Sequence, residues 1–271
     1  MAESDPYLLG YRRAEQDRLE RQAEELAHES AWLFDQIGVR GGWRVAEIGC
    51  GPRGCLALLS ERVGKTGRVT GIERSAEEVD RARQFVAASH LTNVEVLCVD
   101  GRATGLPGGT FDLVTSRLVL VNIPEPKGIV TEMVRLARPG GFVALHEADS
   151  RMQRIDPEHP AQDRLVDLIL RYRVLSGMDP SIGLRVPRML REAGLSNVRV
   201  NALIHEYPPG HGRRMLLLDF VENVRSRAIE KGLIGEAELD SLVAALRAHL
   251  EDPETLVISG LFLQVWGRKP E

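Results

Sequence analysis

Three glycines and an acid pose the first chemical question. In VAEIGCGPRGCLALL, residues 45–59, Gly49, Gly51 and Gly54 spell G-x-G-x-x-G directly after a short apolar stretch, and Glu47 stands ahead of them. Glycines at such a turn let a ligand approach the backbone, while the next helix offers free N–H groups. Two more acids occupy equivalent places. Glu73 closes VTGIE, where a carboxylate can accept hydrogen bonds from a ribose diol; Asp100 follows VEVLCV, where it can accept one from an exocyclic amine. Together they describe an adenosine held across three strand ends. A dinucleotide would use the same glycines and the first of these acids, so those features alone do not separate the two ligands. A different chemistry attaches to His146, which closes GFVALHEAD with Glu147 and Asp149. An imidazole titrating near neutral pH can take a proton from an oxygen or nitrogen nucleophile. The competing role for His146 is that of a satisfied, partly buried core residue. Strand alternation sends His146 and Glu147 to opposite sides of a sheet, so at most one of them reaches a given pocket. Asn122, in LVLVNIPEP, either orients a polar group of a substrate or caps a turn.

The elements that must position these residues alternate. Strands are expected over 45–48, 69–72, 94–99, 111–116 and 141–148, with helices over 56–62, 76–89 and 126–137 between them. Short connections and right-handed crossovers then build a parallel sheet covered on both faces, whose ligand sits beyond the carboxyl ends of the strands. Ahead of the sheet, Leu19, Ala23, Leu26, Ala27, Ala31 and Phe34 recur at helical spacing. They predict one helix over about 11–37, stopped at Gly38. After Asp149 the pattern changes. Helices are expected over 160–175, 185–193, 212–231 and 236–250, with a strand around 198–207 and a final apolar TLVISGLFLQVWG. The chain therefore divides into an N-terminal helical extension over 1–40 and a domain over 41–271, with helical lid insertions at about 150–195 and 210–252.

VAEIGCGPRG, VTGIE, VDGRATGLP, FDLVTSRLVLVNIPEP and LARPGGFVALHE, in this order and spacing, resemble the motifs of the class I S-adenosylmethionine-dependent methyltransferases. The likeness is to bacterial small-molecule enzymes with an N-terminal helical extension. It covers residues 7–148 and, more loosely, REAGLSNVRV and LQVWGRKP. It implies an α/β fold with a Rossmann-like, doubly wound, mostly parallel seven-stranded sheet and an antiparallel last strand. It also implies S-adenosyl-L-methionine as cofactor. Glu47, Gly49 and Gly51 would line its methionine and ribose, Glu73 would hold the ribose hydroxyls, Asp100 the adenine amine with Gly101 beside the ring, and Ser116 with Arg117 the sulfonium end. Tyr7 and Gln22 would close over it, as the family's extensions often do, or else serve only in helix packing. One departure is visible: the family's commonest pattern has a third glycine where Arg53 stands, and here Gly54 comes one residue later. A nicotinamide-dependent reductase of the short-chain type would show Tyr-x-x-x-Lys, and none of Tyr7, Tyr11, Tyr172 or Tyr207 has Lys four residues on.

The leading expectation is methyl transfer to a small, partly apolar metabolite. A protein or RNA acceptor, or a protein that uses the cofactor structurally without transferring methyl, stand as alternatives. The formal charge of -4 gives no general attraction to phosphate backbones, so no nucleic-acid partner is expected. No apolar run approaches the roughly 20 residues of a membrane span, and the opening residues lack an apolar leader, which predicts a cytoplasmic protein. Cys50, Cys55 and Cys98 lack paired spacing, and His205, Glu206 and His211 form no H-E-x-x-H, so no metal site is expected. The apolar stripe of the N-terminal helix is expected to serve as packing surface or as the interface of a homo-oligomer.

Overall fold

The structure is a computed structural model that describes residues 13–149, 151 and 154–271. Tyr7 lies outside the described residues. The chain opens with α1 (Arg13–Glu25) and α2 (Ala27–Ile37), then alternates β1 (Arg44–Ile48), α3 (Leu56–Val63), β2 (Arg68–Glu73), α4 (Ala76–Ala88), β3 (Val94–Cys98), β4 (Phe111–Arg117), α5 (Lys127–Leu136) and β5 (Ala137–Asp149). The second half adds β6 (Arg154–Asp156), α6 (Pro160–Leu175), α7 (Ile182–Glu192), β7 (Ser196–Leu203), α8 (Leu216–Glu230), α9 (Glu236–Glu251), β8 (Leu256–Ile258) and β9 (Leu261–Arg268). Where a single N-terminal helix was expected, the helix breaks at Leu26, and the chain restarts as α2 before ending at Gly38 in a left-handed conformation.

One seven-stranded sheet runs in the order β3-β2-β1-β4-β5-β9-β7. The pairs among β1 to β5 are parallel, whereas β9 runs antiparallel to both β5 and β7. The last strand of the chain thus slots between two earlier ones and leaves β7 at the edge. Alternation along each strand feeds two separate cores. Val45, Leu113 and Ala144 join α2, α3 and α4 on one face; Ala46, Val114, Val143 and Leu145 join α5 and α7 on the other. The apolar stripe of α2 is consumed in the first of these, through Leu33, Phe34 and Ile37. The helix α7, expected within a lid insertion, instead covers the sheet with Ile182, Val186 and Leu190.

The remaining helices α6, α8 and α9 form a third core of their own, including Leu165, Leu168, Tyr172, Leu218, Val221, Leu239 and Leu246. A two-stranded sheet of β6 and β8, which the sequence pattern did not reveal, contributes Ile155 and Val257 to it. Three-residue strands are too short to display a period.

Candidate functional site

A cavity of about 220 Å³ opens at the carboxyl ends of β1, β2 and β3 and continues beneath α1, α6 and α8. Its floor is the glycine turn. Gly49 holds φ +70°, and a Cβ there would stand 2.3 Å from the side chain of Val119. The question raised by Glu47 is answered by Gly54: a Cβ on Gly54 would stand 2.7 Å from both Glu47 oxygens. That gap lets the carboxylate reach the Cys55 N–H, which donates to it at 2.9 Å. Glu47 is 1% exposed, and burial pushes its pKa up to about 7, against the opposing pull of the Arg117 charge and the Cys55 N–H.

At the next strand end, Glu73 accepts from the N–H groups of Gly51 at 3.2 Å, Arg74 at 2.8 Å and Ser75 at 3.0 Å. One half-buried carboxylate therefore ties the glycine turn to the β2–α4 connection while still lining the cavity. Asp100 is exposed, accepts from the Arg102 N–H at 2.8 Å, and lines the cavity beside the buried Gly101. Arg117 donates to Ser30 Oγ at 3.0 Å and to the Gly54 carbonyl at 3.2 Å, so it cross-links α2 to the glycine turn from the cavity wall. The structure thus brings Glu47, Gly49, Gly51, Glu73, Asp100, Gly101 and Arg117 to one wall, together with Gln22 of α1.

Two expected residues are not part of that wall. Ser116 is neighbour to Arg117 on β4, and alternation turns it to the opposite face, buried. His146 faces the same side as Ala144, toward α2, and its ring packs edge-on against Phe262 with centroids 5.7 Å apart. It is 2% exposed, and neither ring nitrogen has a hydrogen-bond partner. Burial, reinforced by the charges of Arg117, His205 and Arg213, lowers its pKa to about 3. The general base expected at His146 thus falls on a ring that is not part of the cavity lining, whereas its neighbour Phe262 is. Glu147, on the other face, accepts from the N–H groups of Val119, Leu120 and Val121 and so organises the turn after β4. Asn122 donates to the Leu118 carbonyl at 2.9 Å and lines the cavity as well.

The far end of the cavity holds residues that the sequence reading did not assign: Arg173 on α6, Arg213 just before α8, Phe220 on α8 and Phe262 on β9. Arginines within amphipathic helices read as solvent-facing, and only the docking of α6 and α8 over the sheet makes them wall residues. Among the described residues, no group of three or more His, Cys, Asp and Glu side chains is placed to hold a metal ion, and no helix is long and apolar enough to cross a membrane.

Fold and site together define a doubly wound, Rossmann-like α/β protein with a nucleoside-sized cradle at its strand ends. Residues 46–145 match the family model described as a methyltransferase domain, so this stretch of the chain is similar to methyltransferases. The demethylmenaquinone methyltransferase of Shouchella clausii is 35% identical over 127 residues, which are 45% of this chain and 53% of that protein. The aklanonic acid methyltransferase DauC of Streptomyces sp. is 26% identical over 140 residues, 46% of this chain and 64% of that one. The chain thus spans about half the length of the curated relatives it matches. The fold is shared with the crystal structure of a methyltransferase-like protein from Bacillus halodurans, at 18% identity and TM-score 0.58, covering 89% of this chain and 98% of the other.

Proposed function

We propose that this protein transfers the methyl group of S-adenosylmethionine to a small, partly apolar molecule enclosed beneath α1, α6 and α8. The observation that carries the reading is the continuity of one cavity from the cradle at the strand ends to the apolar underside of the lid. The cradle fits the cofactor: glycine backbone at Gly49 and Gly51, a carboxylate at Glu73 for a diol, and a carboxylate at Asp100 for an amine. Gly101 would flank the adenine ring, and Arg117 and Glu47 would border the methionine portion. The bound cofactor supplies a methyl group on a positively charged sulfur, already activated for displacement.

The protein's task is then alignment and exclusion of water rather than strong base catalysis. Ile169, Leu217, Phe220 and Phe262 close the acceptor end with apolar surface. Small acceptors are also what the names of the Shouchella and Streptomyces relatives describe. The reading is tested by titrating S-adenosylhomocysteine into the purified protein and by incubating methyl-labelled cofactor with a metabolite extract. Binding followed by label in an organic-soluble product is expected. Label moving only to protein or RNA, or binding with no transfer, would replace the reading by one of those alternatives.

A further inference from the structure

The glycine turn departs from the family's commonest pattern at Arg53, and the cavity does not explain that residue. Gly51, Pro52 and Gly54 line the cavity, whereas Arg53 between them is not part of its wall. Its guanidinium lies 5.1 Å from the centroid of Phe85 on α4 and pairs with two carboxylates of α1, Glu20 at 3.2 Å and Glu24 at 3.0 Å. These partners sit one helical turn apart, so a single planar fork takes both from one face of the helix. A guanidinium already held on a ring has less rotamer freedom to lose on pairing, which sets this network above an isolated surface ion pair. Among the described residues, none of α1 belongs to the three apolar cores. Yet α1 covers the cavity, with Arg18, Leu19 and Gln22 in its wall. At the end of the helix Glu25 accepts from Arg213, just ahead of α8, at 2.5 Å. The helix is thus fastened by charge more than by burial, to the cofactor turn on one side and to the lid on the other.

We infer that Arg53 is a positioning residue of the methyl-transfer site: from the cofactor turn it latches α1 over the cavity, and the opening of its pairs with Glu20 and Glu24 governs how fast S-adenosylhomocysteine leaves. The inference rests on the methyltransferase reading and deepens it. Methyl transfer needs the cavity shut against water and then open to release the product cofactor, two demands that one detachable cover meets. Ion pairs suit that role. Exposed pairs carry little energy apiece and break without baring apolar surface, so α1 can lift while the three cores stay closed. Neither Arg53 nor its two partners line the cavity, so their effect on the cofactor passes through the position of α1.

A rapid-filtration chase of radiolabelled S-adenosylhomocysteine from the full chain measures the latch. Arg53→Glu, which turns two attractions into two repulsions, should speed release about five- to tenfold. Glu20→Gln combined with Glu24→Gln leaves the glycine turn as it is and should speed release in the same direction. Adding Glu20→Arg and Glu24→Arg to Arg53→Glu should restore slow release, a rescue that a damaged turn would not allow. High salt should hasten release from the wild type more than from the Gln pair, because exposed charges are screened. Amide exchange should quicken in α1 while β1 and α4 keep their protection, which tells a lifted helix from a misfolded chain. Should Arg53→Glu fail to fold, the Gln pair still judges the inference. Unchanged release in these variants, or faster release that the charge swap leaves in place, overturns it while the methyltransferase reading stands. Failure of S-adenosylhomocysteine to bind the wild type removes that reading and the latch with it.

Discussion

Glu73 does two jobs with one carboxylate, pinning the Gly51 N–H and presenting an acceptor to the cavity. Replacing it with Ala should weaken cofactor binding by about 1 to 3 kcal/mol, the range for losing hydrogen bonds to a charged group. Calorimetry with S-adenosylhomocysteine measures this, and unchanged affinity would remove Glu73 from the site. His146 makes the opposite prediction. Its pKa falls from an ordinary 6.5 to about 3 in the folded protein. The folded state therefore binds fewer protons than the unfolded chain between those values. The contribution is fully present above pH 6.5 and lost as the pH falls toward 3. Between pH 7 and pH 4.5 that loss amounts to about 2 to 3 kcal/mol. His146→Gln should flatten this part of the stability profile in urea unfolding while turnover stays near the wild-type level. A collapse of turnover would restore the catalytic role.

Elements aim these residues by parity. Along β5, Val143 and Leu145 feed one core and Ala144 the other, so His146 and Glu147 are divided between faces as alternation requires. Glu147 uses its place to collect three N–H groups of the turn over residues 119–121, the same turn whose Val119 side chain packs against Gly49. Glu147→Ala would leave those donors buried and unpaired. The expected cost is at least about 2 kcal/mol, or roughly 4 to 8 °C in Tm by calorimetric scanning. The break at Leu26 belongs to the same scale: apolar spacing runs on through residues 19–34, yet the chain restarts there as a second helix. Spacing reports which face is buried, not whether the axis continues.

Across the whole molecule, the sheet and the lid have separate cores that share no residue. The lid is thus held by its own packing as well as by contact with the body. Leu165, fully buried in the lid core, should cost about 2 to 5 kcal/mol when cut to Ala. Amide exchange should speed up across α6, α8 and α9 and remain slow in β1 and β4. Uniform acceleration across both would mean that lid and sheet unfold as one unit.

The sequence by itself determined the alternating architecture and the cradle, because these rest on local signals: glycines at a turn, acids one step past a strand, apolar periods of two or near four. The first strands, their helices and the wall residues Gly49, Gly51, Glu73 and Asp100 were legible on that basis, whereas Glu47, Gly101 and Arg117 were reached only through the family resemblance. Only the tertiary structure decided that α7 belongs to the sheet, that His146 packs edge-on against Phe262, and that Arg173 and Arg213 line the cavity. Each of these depends on how distant segments dock, and a helix does not record in its own spacing which charged side chain a neighbour will bury.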